Sequence, residues 1–438
     1  MNNCIRWIAL LLCALFVVPL AIAQTREVPK FEVDPNWPQL PSKWVWGQVS
    51  SVSIDEHQHA WVLQRPGTIR TDQKGKAAPP LIEFDENGKF VQAWGGPGAG
   101  YDWPEIEHGV YVDTKGFVWI GGNGKNDHQL LKFTRDGKFV MQIGKKGQSK
   151  GNKDTQNVNQ AADTFYYEKT NELIVADGYG NKRIIVFDAD TGAFKRMWGA
   201  FGNEPLDDVP PPSKVPEASR IPASMETGRG PEQFVRPVHA ARVSNDGLIY
   251  VSDRGGKRVQ IFTLEGKYVN QVFIDRWCEE PHCGNGQTVA STAFSHDPAQ
   301  RFLYVASRSP QRVWVLDRKT LEPLDSFGRM GIAPGEFYVM HHMNVDAKGN
   351  LYLADSSNKK VRQVNASGTR LLRQAGDELF NLLAHHHHQV GQLVNHHHDV
   401  GQALQRLRLF GREAEVHVSS SPWFIRGRAG RTLSGDSP

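Results

Sequence analysis

Three histidines are the residues of this sequence whose type and spacing could do chemistry. His108, His239 and His341 each stand at the entrance of a strand-like segment, at the same position of a repeated pattern. Three converging imidazoles are the ligand set of an open catalytic zinc site, with one position left for water or substrate. A lone histidine is usually a core residue, but three in one register favour metal ligation. His342 is the alternative third ligand, although the register favours His341.

A second set of polar residues is predicted to share a face with these histidines, because the second strand of a hairpin returns to the face where the first began. The predicted cross-strand pairs are Ser50 with Arg65, Ala162 with Tyr179, and His239 with Arg254. Taken singly, each arginine would be interpreted as a salt-bridge residue and the tyrosine as a packing residue. Together, guanidinium groups that bind carboxylates and a phenol near a Lewis-acidic metal suit a small anionic substrate.

The elements that must position these side chains form an internal repeat. Each copy has a strand ending near Asp, a turn, a second strand rich in β-branched and aromatic residues, and then two further strands. The copies contain residues 52–63, 109–140, 172–188, 244–262, 302–317 and 344–355. Spacings of about 50 to 60 residues and D-G, N-G or K-G turns are typical of propeller blades. The sequence therefore predicts an all-β, six-bladed β-propeller over residues 24–370.

The candidate zinc ligands fall in every second copy of the repeat. His108 belongs to the second copy, His239 to the fourth and His341 to the sixth, whereas Ser50 and Ala162 take that position in the first and third. The fifth copy aligns less well. Alternate blades of a six-fold ring lie about 120° apart, so the three imidazoles are predicted to meet on the axis.

Two parts of the propeller leave alternatives open. The outer strand of the last blade is predicted from either residues 31–37 or residues 361–369. The Pro-rich stretch over residues 203–230 is predicted to be a surface excursion, which acts as a lid or is merely an insertion.

The composition excludes several classes of protein. The 438 residues include 42 Gly, 25 Pro and 12 Trp, and 39% of them are hydrophobic. Abundant turn formers and aromatic residues argue against a helical bundle, and this composition rules out disorder for most of the chain. The net charge is only +4, with no run of Lys and Arg in the body of the chain, so a nucleic-acid partner is excluded.

The two ends of the chain are predicted to lie outside the propeller. Residues 1–23 are typical of a secretory signal peptide, because they contain Arg6, an apolar stretch over residues 7–20 and the sequence Ala21-Ile-Ala23. Cleavage after Ala23 predicts export to the periplasm or the extracellular space, with no membrane span remaining. Lipidation at Cys13 is a minor alternative. Residues 371–438, with two histidine runs, are predicted to be a poorly ordered tail that could bind metal ions adventitiously.

Signal cleavage would leave two cysteines, Cys278 and Cys283. Exported proteins form disulfides, so a local disulfide between these residues is predicted. A zinc knuckle that includes His282 is the alternative, but one pair of thiols is weak evidence for such a site.

The repeated unit resembles the NHL-repeat propellers, most clearly from Gly230-Pro-Glu-Gln-Phe234 to Phe262. A more specific resemblance, over roughly residues 44–364, is to the peptidyl-α-hydroxyglycine α-amidating lyases. The matching motifs are, in order, Arg65, His108-Gly-Val, Ala176-Asp-Gly-Tyr-Gly-Asn-Lys-Arg183, Val238-His-Ala and Asp253-Arg-Gly-Gly-Lys-Arg-Val-Gln260.

This resemblance implies a carbon–nitrogen lyase that cleaves a peptidyl or acyl α-hydroxyglycine to an amide and glyoxylate. It implies zinc as the cofactor, bound by His108, His239 and His341. It also implies Tyr179 as the base and Arg65 and Arg254 as substrate clamps.

The same resemblance implies a structural calcium ion in the channel. His342 stands where the lyases carry an Asp that helps to hold calcium, so the sequence departs from the family here. The carbonyl oxygen of Val110 and the carboxylate of Asp163 are the remaining candidates for calcium ligands.

Two other functions are compatible with a propeller. NHL propellers also act as non-catalytic platforms that bind proteins or ligands, and this hypothesis predicts no bound metal. A calcium-dependent lactonase would need carboxylates and Asn in the channel, whereas the matching positions here are mainly His.

Overall fold

The computed structural model describes residues 27–208, 228–278 and 287–371. Within them the chain forms six four-stranded antiparallel sheets. In five of the sheets the strands follow one another in chain order from the innermost to the outermost. The sixth sheet takes its outermost strand from the N-terminal end of the described residues. Neighbouring innermost strands contact one another around the whole ring, including the last with the first. The prediction of an all-β, six-bladed propeller is confirmed.

The strands of the first three blades follow one another in sequence order. A separate N-terminal strand, β1, covers Glu27–Val33. Blade one contains β2 Gln48–Ile54, β3 Ala60–Arg65, β4 Leu81–Phe84 and β5 Phe90–Trp94. Blade two contains β6 Glu107–Val112, β7 Phe117–Gly122, β8 Gln129–Thr134 and β9 Phe139–Gly144. Blade three contains β10 Asp163–Tyr167, β11 Glu172–Asp177, β12 Arg183–Asp188 and β13 Phe194–Trp198.

The other three blades complete the ring. Blade four contains β14 Val238–Val243, β15 Ile249–Asp253, β16 Arg258–Phe262 and β17 Tyr268–Phe273. Blade five contains β18 Val289–Phe294, β19 Phe302–Arg308, β20 Gln311–Asp317 and β21 Pro323–Phe327. A small parallel pair, β22 Arg329–Met330 and β23 Glu336–Phe337, precedes blade six. Blade six contains β24 Met340–Val345, β25 Leu351–Asp355 and β26 Lys360–Leu371. Short 3-10 helices cover Pro66–Thr68, Thr71–Lys76, Glu168–Thr170 and Ala200–Gly202.

The ring is closed by the first described strand. β1 pairs with β26 as the outermost strand of blade six, with Glu27 opposite Leu371 and Val33 opposite Val364. The sequence left two alternatives for this outer strand, and both segments contribute to blade six. Residues 361–369 lie in its third strand, and Phe31 lies in its fourth.

The Asp at the end of the innermost strand has a structural role. The carboxylate of Asp113 accepts hydrogen bonds from the backbone N–H groups of Lys115 and Phe117, which form the turn into the second strand. Its other oxygen accepts the indole N–H of Trp119 at 2.9 Å. Trp119 is fully buried, so the Asp satisfies a donor that the core would otherwise leave unpaired. This local chemistry repeats between Asp55 and Trp61 in blade one.

A β-bulge interrupts the innermost strand of most blades, because one extra residue is inserted opposite the second strand. The bulges fall at Ser50, His108, His239, Ala290 and residues 341–342. Bulges redirect a side chain relative to the regular strand and occur frequently beside active sites. The candidate zinc ligands thus occupy the irregular positions of their strands.

Several predictions fall outside the described residues. The signal peptide over residues 1–23, the tail beyond residue 371, most of the Pro-rich stretch and Cys283 all lie there. Cys278 is described and is fully buried, and its disulfide stays a prediction. Among the described residues, no helix has the length and apolar character needed to cross a bilayer.

Candidate metal centre

The three predicted ligands converge in the channel although they come from three different blades. The ring centroids of His108 and His239 lie 5.1 Å apart, and that of His341 lies 4.6 Å from each of them. His108 and His239 are fully buried, and His341 is 5% exposed. The alternation of histidines predicted from the repeat therefore brings their imidazoles together on the axis.

Each of these imidazoles is held through its Nδ1 atom by the neighbouring blade. His108 Nδ1 lies 2.7 Å from the carbonyl oxygen of Ala162, His239 Nδ1 lies 2.6 Å from that of Ala290, and His341 Nδ1 lies 2.5 Å from that of Ser50. A carbonyl oxygen only accepts hydrogen bonds, so Nδ1 must carry the proton in all three rings. The lone pair is then on Nε2, the arrangement that backbone carbonyls impose on metal-ligating histidines.

The unprotonated Nε2 atoms fit a metal ion. Among the described residues, the buried Nε2 of His239 has no hydrogen-bond partner, which is unusual for a polar atom in a core. Burial, followed by the charges of neighbouring imidazoles and arginines, lowers the pKa values of His108, His239 and His341 well below the ordinary value. The imidazoles are therefore neutral at pH 7, as ligation of zinc requires.

His342 differs from His341 because both of its ring nitrogens have partners in the protein. Its Nδ1 lies 2.9 Å from the hydroxyl of Ser51, and its Nε2 lies 3.3 Å from the carbonyl oxygen of His239. Among the described residues, the histidines whose ligand atoms all lie within 4.8 Å of one another are His108, His239 and His342, so distance favours His342 as the third ligand. The hydrogen bonds favour His341, since only its Nδ1 is fixed in the way that His108 and His239 share.

Tyr179 lies at the edge of the imidazole cluster. Its hydroxyl is 2.9 Å from His108 Nε2, and Arg254 Nη1 donates to the same oxygen at 3.1 Å. The loop reaches this place because Gly178 packs directly on blade four: a Cβ there would lie 1.9 Å from the carbonyl oxygen of Val238. The phenol, one guanidinium and one candidate ligand therefore form a connected polar group, as the sequence predicted for this face.

Arg65 is held at the same face by the oxygens of two blades. Its Nε donates to the carbonyl oxygen of Glu107 at 2.7 Å, next to His108, and its Nη1 donates to Gln48 at 3.3 Å. Burial is the first cause that lowers the pKa of Arg65, yet the group remains a cation near neutrality. The predicted partner Ser50 is wrong, because Gln48 lies opposite Arg65.

The other two predicted cross-strand pairs are wrong for a related reason. Blade three pairs Asp163 with Ala176, which places Tyr179 beyond the partner expected for Ala162. In blade four the bulge at His239 shifts the register, and Arg254 donates its backbone N–H to Pro237. Despite these shifts of one or two residues, the three side chains still border the imidazole cluster. Tyr179 contacts His108, Arg254 contacts Tyr179, and Arg65 contacts the backbone next to His108.

Sequence comparison of the repeats missed Arg308, the last residue of β19. It ends the second strand of blade five as Arg65 ends that of blade one, so the same hairpin argument could have found it had the fifth copy aligned better. Burial and then the charge of Arg254 lower the pKa of Arg308 to about 10. Arg308 therefore adds a third guanidinium near Arg254 and Tyr179.

The residues proposed for calcium do not fit that ion. One oxygen of the Asp163 carboxylate is paired with the buried guanidinium of Arg242, which leaves the buried Oδ1 as the only oxygen of this carboxylate without a hydrogen-bond partner. His342 offers nitrogen to the same region, where its pKa is lowered to about 4 by burial. Calcium requires six to eight oxygen ligands, whereas Val110 offers only its backbone carbonyl here. We therefore assign no role to calcium.

Comparisons with known proteins find distant relatives by sequence. No protein-family model matches the chain. Human NHL repeat-containing protein 3 is 24% identical over 355 residues, which cover 78% of this chain and 86% of that protein. Peptidyl-glycine alpha-amidating monooxygenase B of Xenopus laevis is 22% identical over 373 residues, 80% of this chain but only 37% of that protein.

The name of a third relative refers to a lyase and not to a monooxygenase. The probable peptidyl-alpha-hydroxyglycine alpha-amidating lyase of Caenorhabditis elegans is 25% identical over 235 residues, which cover 51% of this chain and 57% of that protein. Among solved structures, the WD40 propeller of Doa1 and a streptogramin B lyase each align with a TM-score of 0.43, at 9% and 12% identity. They cover 78% and 77% of this chain, and 98% and 97% of those chains. The resemblance to NHL-repeat and amidating proteins is confirmed.

Proposed function

We propose that this protein is an exported zinc-dependent lyase that cleaves the C–N bond of a peptidyl or acyl α-hydroxyglycine, yielding an amide and glyoxylate. The observation that carries the proposal is the set of three neutral imidazoles whose Nδ1 atoms are fixed by backbone carbonyls, beside a tyrosine hydroxyl. The distant amidating relatives support the same reaction class.

His108, His239 and His341 would hold zinc through Nε2. When bound there, zinc supplies a Lewis acid that acidifies a substrate hydroxyl. Arg65 binds the carboxylate of the α-hydroxyglycine, since its guanidinium is already oriented by Glu107 and Gln48. The substrate hydroxyl is thereby placed near Tyr179.

Tyr179 moves the proton that the reaction must relocate. Its hydroxyl oxygen, which accepts a hydrogen bond from Arg254 Nη1 at 3.1 Å, takes the proton of the substrate hydroxyl while the Tyr179 hydroxyl passes on its own proton. A C=O bond forms at that carbon as the C–N bond breaks, and the proton is delivered to the leaving amide nitrogen. The products are one amide and one glyoxylate, so atoms and charge balance without an oxidant or a second substrate.

The test is glyoxylate release from α-hydroxyhippurate by the mature chain, measured as purified, after chelation and after zinc is restored. We expect release that is lost on chelation and recovered with zinc. The His239→Ala variant is the matched control, because the histidine-rich tail and any metal that it binds are the same in both proteins. Absence of release from a zinc-loaded protein would reject the lyase reaction, and a protein without zinc at this site would favour a non-catalytic NHL platform.

A further inference from the structure

Arg308 ends β19 on the face of the propeller that carries the imidazole cluster. Its backbone N–H donates to the carbonyl oxygen of Thr288 at 2.7 Å, and the N–H of Thr288 lies 3.3 Å from the carbonyl oxygen of Arg254. These bonds tie the last residue of a blade-five strand to the arginine that contacts Tyr179. Arg308 therefore borders the candidate site, at the junction of blades four and five.

The guanidinium of Arg308 differs from the other two in what it binds. Arg254 donates to Tyr179, and Arg65 donates to protein oxygens on two blades. Within residues 27–208, 228–278 and 287–371, the guanidinium of Arg308 makes no hydrogen bond and no ion pair, although the side chain is half-buried. A partly buried cation without a partner is costly, and binding of an anion would remove that cost.

Three guanidiniums border this face, and the Glu107 carboxylate offsets only part of their charge, so the face can bind more than one anionic group of a ligand. One carboxylate of the substrate is assigned to Arg65, and Arg254 is occupied by Tyr179. Arg308 lies in blade five and Arg65 in blade one, two blades apart and so roughly 120° around the ring. A single carboxylate engages one arginine fork, so Arg308 is placed for a second anion.

We infer that Arg308 is a specificity-determining residue that binds a second carboxylate of the substrate, so that the site takes dicarboxylic N-acyl α-hydroxyglycines. The inference rests on the proposed function for the identity of the first carboxylate. The fall in the pKa of Arg308 to about 10 leaves it charged at neutral pH, as this role requires. The α-hydroxyglycine end binds at Arg65 and the acyl end extends toward blade five.

The test measures equilibrium binding rather than turnover, with unreactive ligands that lack the α-hydroxyl. Two matched pairs are compared by calorimetry on the zinc-loaded full chain: hippurate with 4-carboxyhippurate, and N-butanoylglycine with N-succinylglycine. We expect at least one dianion to bind about tenfold to a hundredfold more tightly than its monoanionic partner. Arg308→Gln should abolish that preference and leave the monoanions unaffected, whereas Arg308→Lys should keep part of it.

Arg301→Gln is the control, because Arg301 precedes the same strand at its opposite end and is exposed. It should keep the preference. Equal affinities within both pairs for the wild type, a preference that survives Arg308→Gln, or an equal loss for monoanions would overturn the inference. Because binding needs no turnover, a preference lost in Arg308→Gln together with no glyoxylate release would uphold the second carboxylate site and reject only the lyase reaction.

Discussion

The Nδ1 atom of His239 in blade four lies 2.6 Å from the carbonyl oxygen of Ala290 in blade five. Ala290 occupies the bulge position of its own strand, the place that His239 takes in the preceding blade. The odd blades thus contribute backbone acceptors where the even blades contribute imidazoles. Each candidate ligand is therefore oriented by the backbone carbonyl of a small residue in the next blade around the ring.

Substitutions of His239 and His342 should have different effects on the amount of zinc bound. We expect His239→Ala to bind about one zinc per chain less than the wild type after dialysis, since it removes an Nε2 without a protein partner. His342→Ala should keep the wild-type stoichiometry, because its ring nitrogens contact Ser51 and the His239 carbonyl. Metal analysis of the three proteins checks this, and a loss of zinc in His342→Ala alone would reverse the assignment.

Removal of the Tyr179 hydroxyl should affect turnover and not metal content. We expect Tyr179→Phe to lower kcat for glyoxylate release by about 10² to 10⁴, the usual contribution of a positioned acid–base group. The ring can still pack against His108, whose centroid is 4.7 Å away, so zinc should remain. Tyr338→Phe, at an exposed tyrosine, is the control. Full turnover in Tyr179→Phe would exclude it as the base.

Arg65 should strengthen the binding of substrates that carry a carboxylate. We expect Arg65→Ala to weaken binding of α-hydroxyhippurate by about tenfold to a hundredfold, because a charge-assisted pair is lost. The corresponding amide, which lacks the carboxylate, should lose little. The measurement is KM for the acid and the inhibition constant for the amide; equal losses for both would mean that Arg65 only shapes the site.

The ion pair between Asp163 and Arg242 should make the channel independent of calcium. We expect calcium or a calcium chelator to leave Tm unchanged. Asp163→Asn should lower the free energy of unfolding by about 3 to 5 kcal/mol, because it leaves the buried Arg242 guanidinium without its counter-charge. Replacing both residues, with Arg242→Met added, should restore much of that loss. Stabilisation of the wild type by calcium would show that the ion does bind.

Acid stability should depend on Glu172, far along the strand from the site. Burial alone would raise its pKa, but hydrogen bonds from Arg196 and Lys195 outweigh burial and lower the pKa to about 2. A carboxylate with a lowered folded pKa stabilises the protein above its ordinary value near 4.5, and this contribution is lost as the pH falls through about 2.

Glu172→Gln should therefore lower the free energy of unfolding at pH 7 by about 1 to 3 kcal/mol, a range that allows for partial solvent screening. The difference between the two proteins should shrink as the pH falls from 4.5 towards 2. Urea titrations at several pH values provide the measurement. A difference that does not change with pH would mean that Glu172 acts through packing rather than charge.

The repeat made the fold and the ligand register predictable from sequence, because His108 and His239 precede equivalent segments of their copies. The bulges were not predictable, since one inserted residue leaves the hydrophobic pattern of the strand nearly unchanged. That is why Arg65 was assigned to Ser50 instead of Gln48. The pairing of Arg242 with Asp163 joins two blades, and such a contact leaves no trace in the spacing of residues along the chain.

The pairing of β1 with β26 also governs the order in which the ring can be assembled. Ribosomes make chains from the N-terminus, so β1 is finished long before the strand that will cover its hydrogen-bonding edge. Until residues 360–371 arrive, that edge and the edge of β25 remain open to wrong partners. Joining the two is the step with the longest loop in the fold, so late ring closure makes the newly synthesised chain most dependent on protection from aggregation just before it is complete.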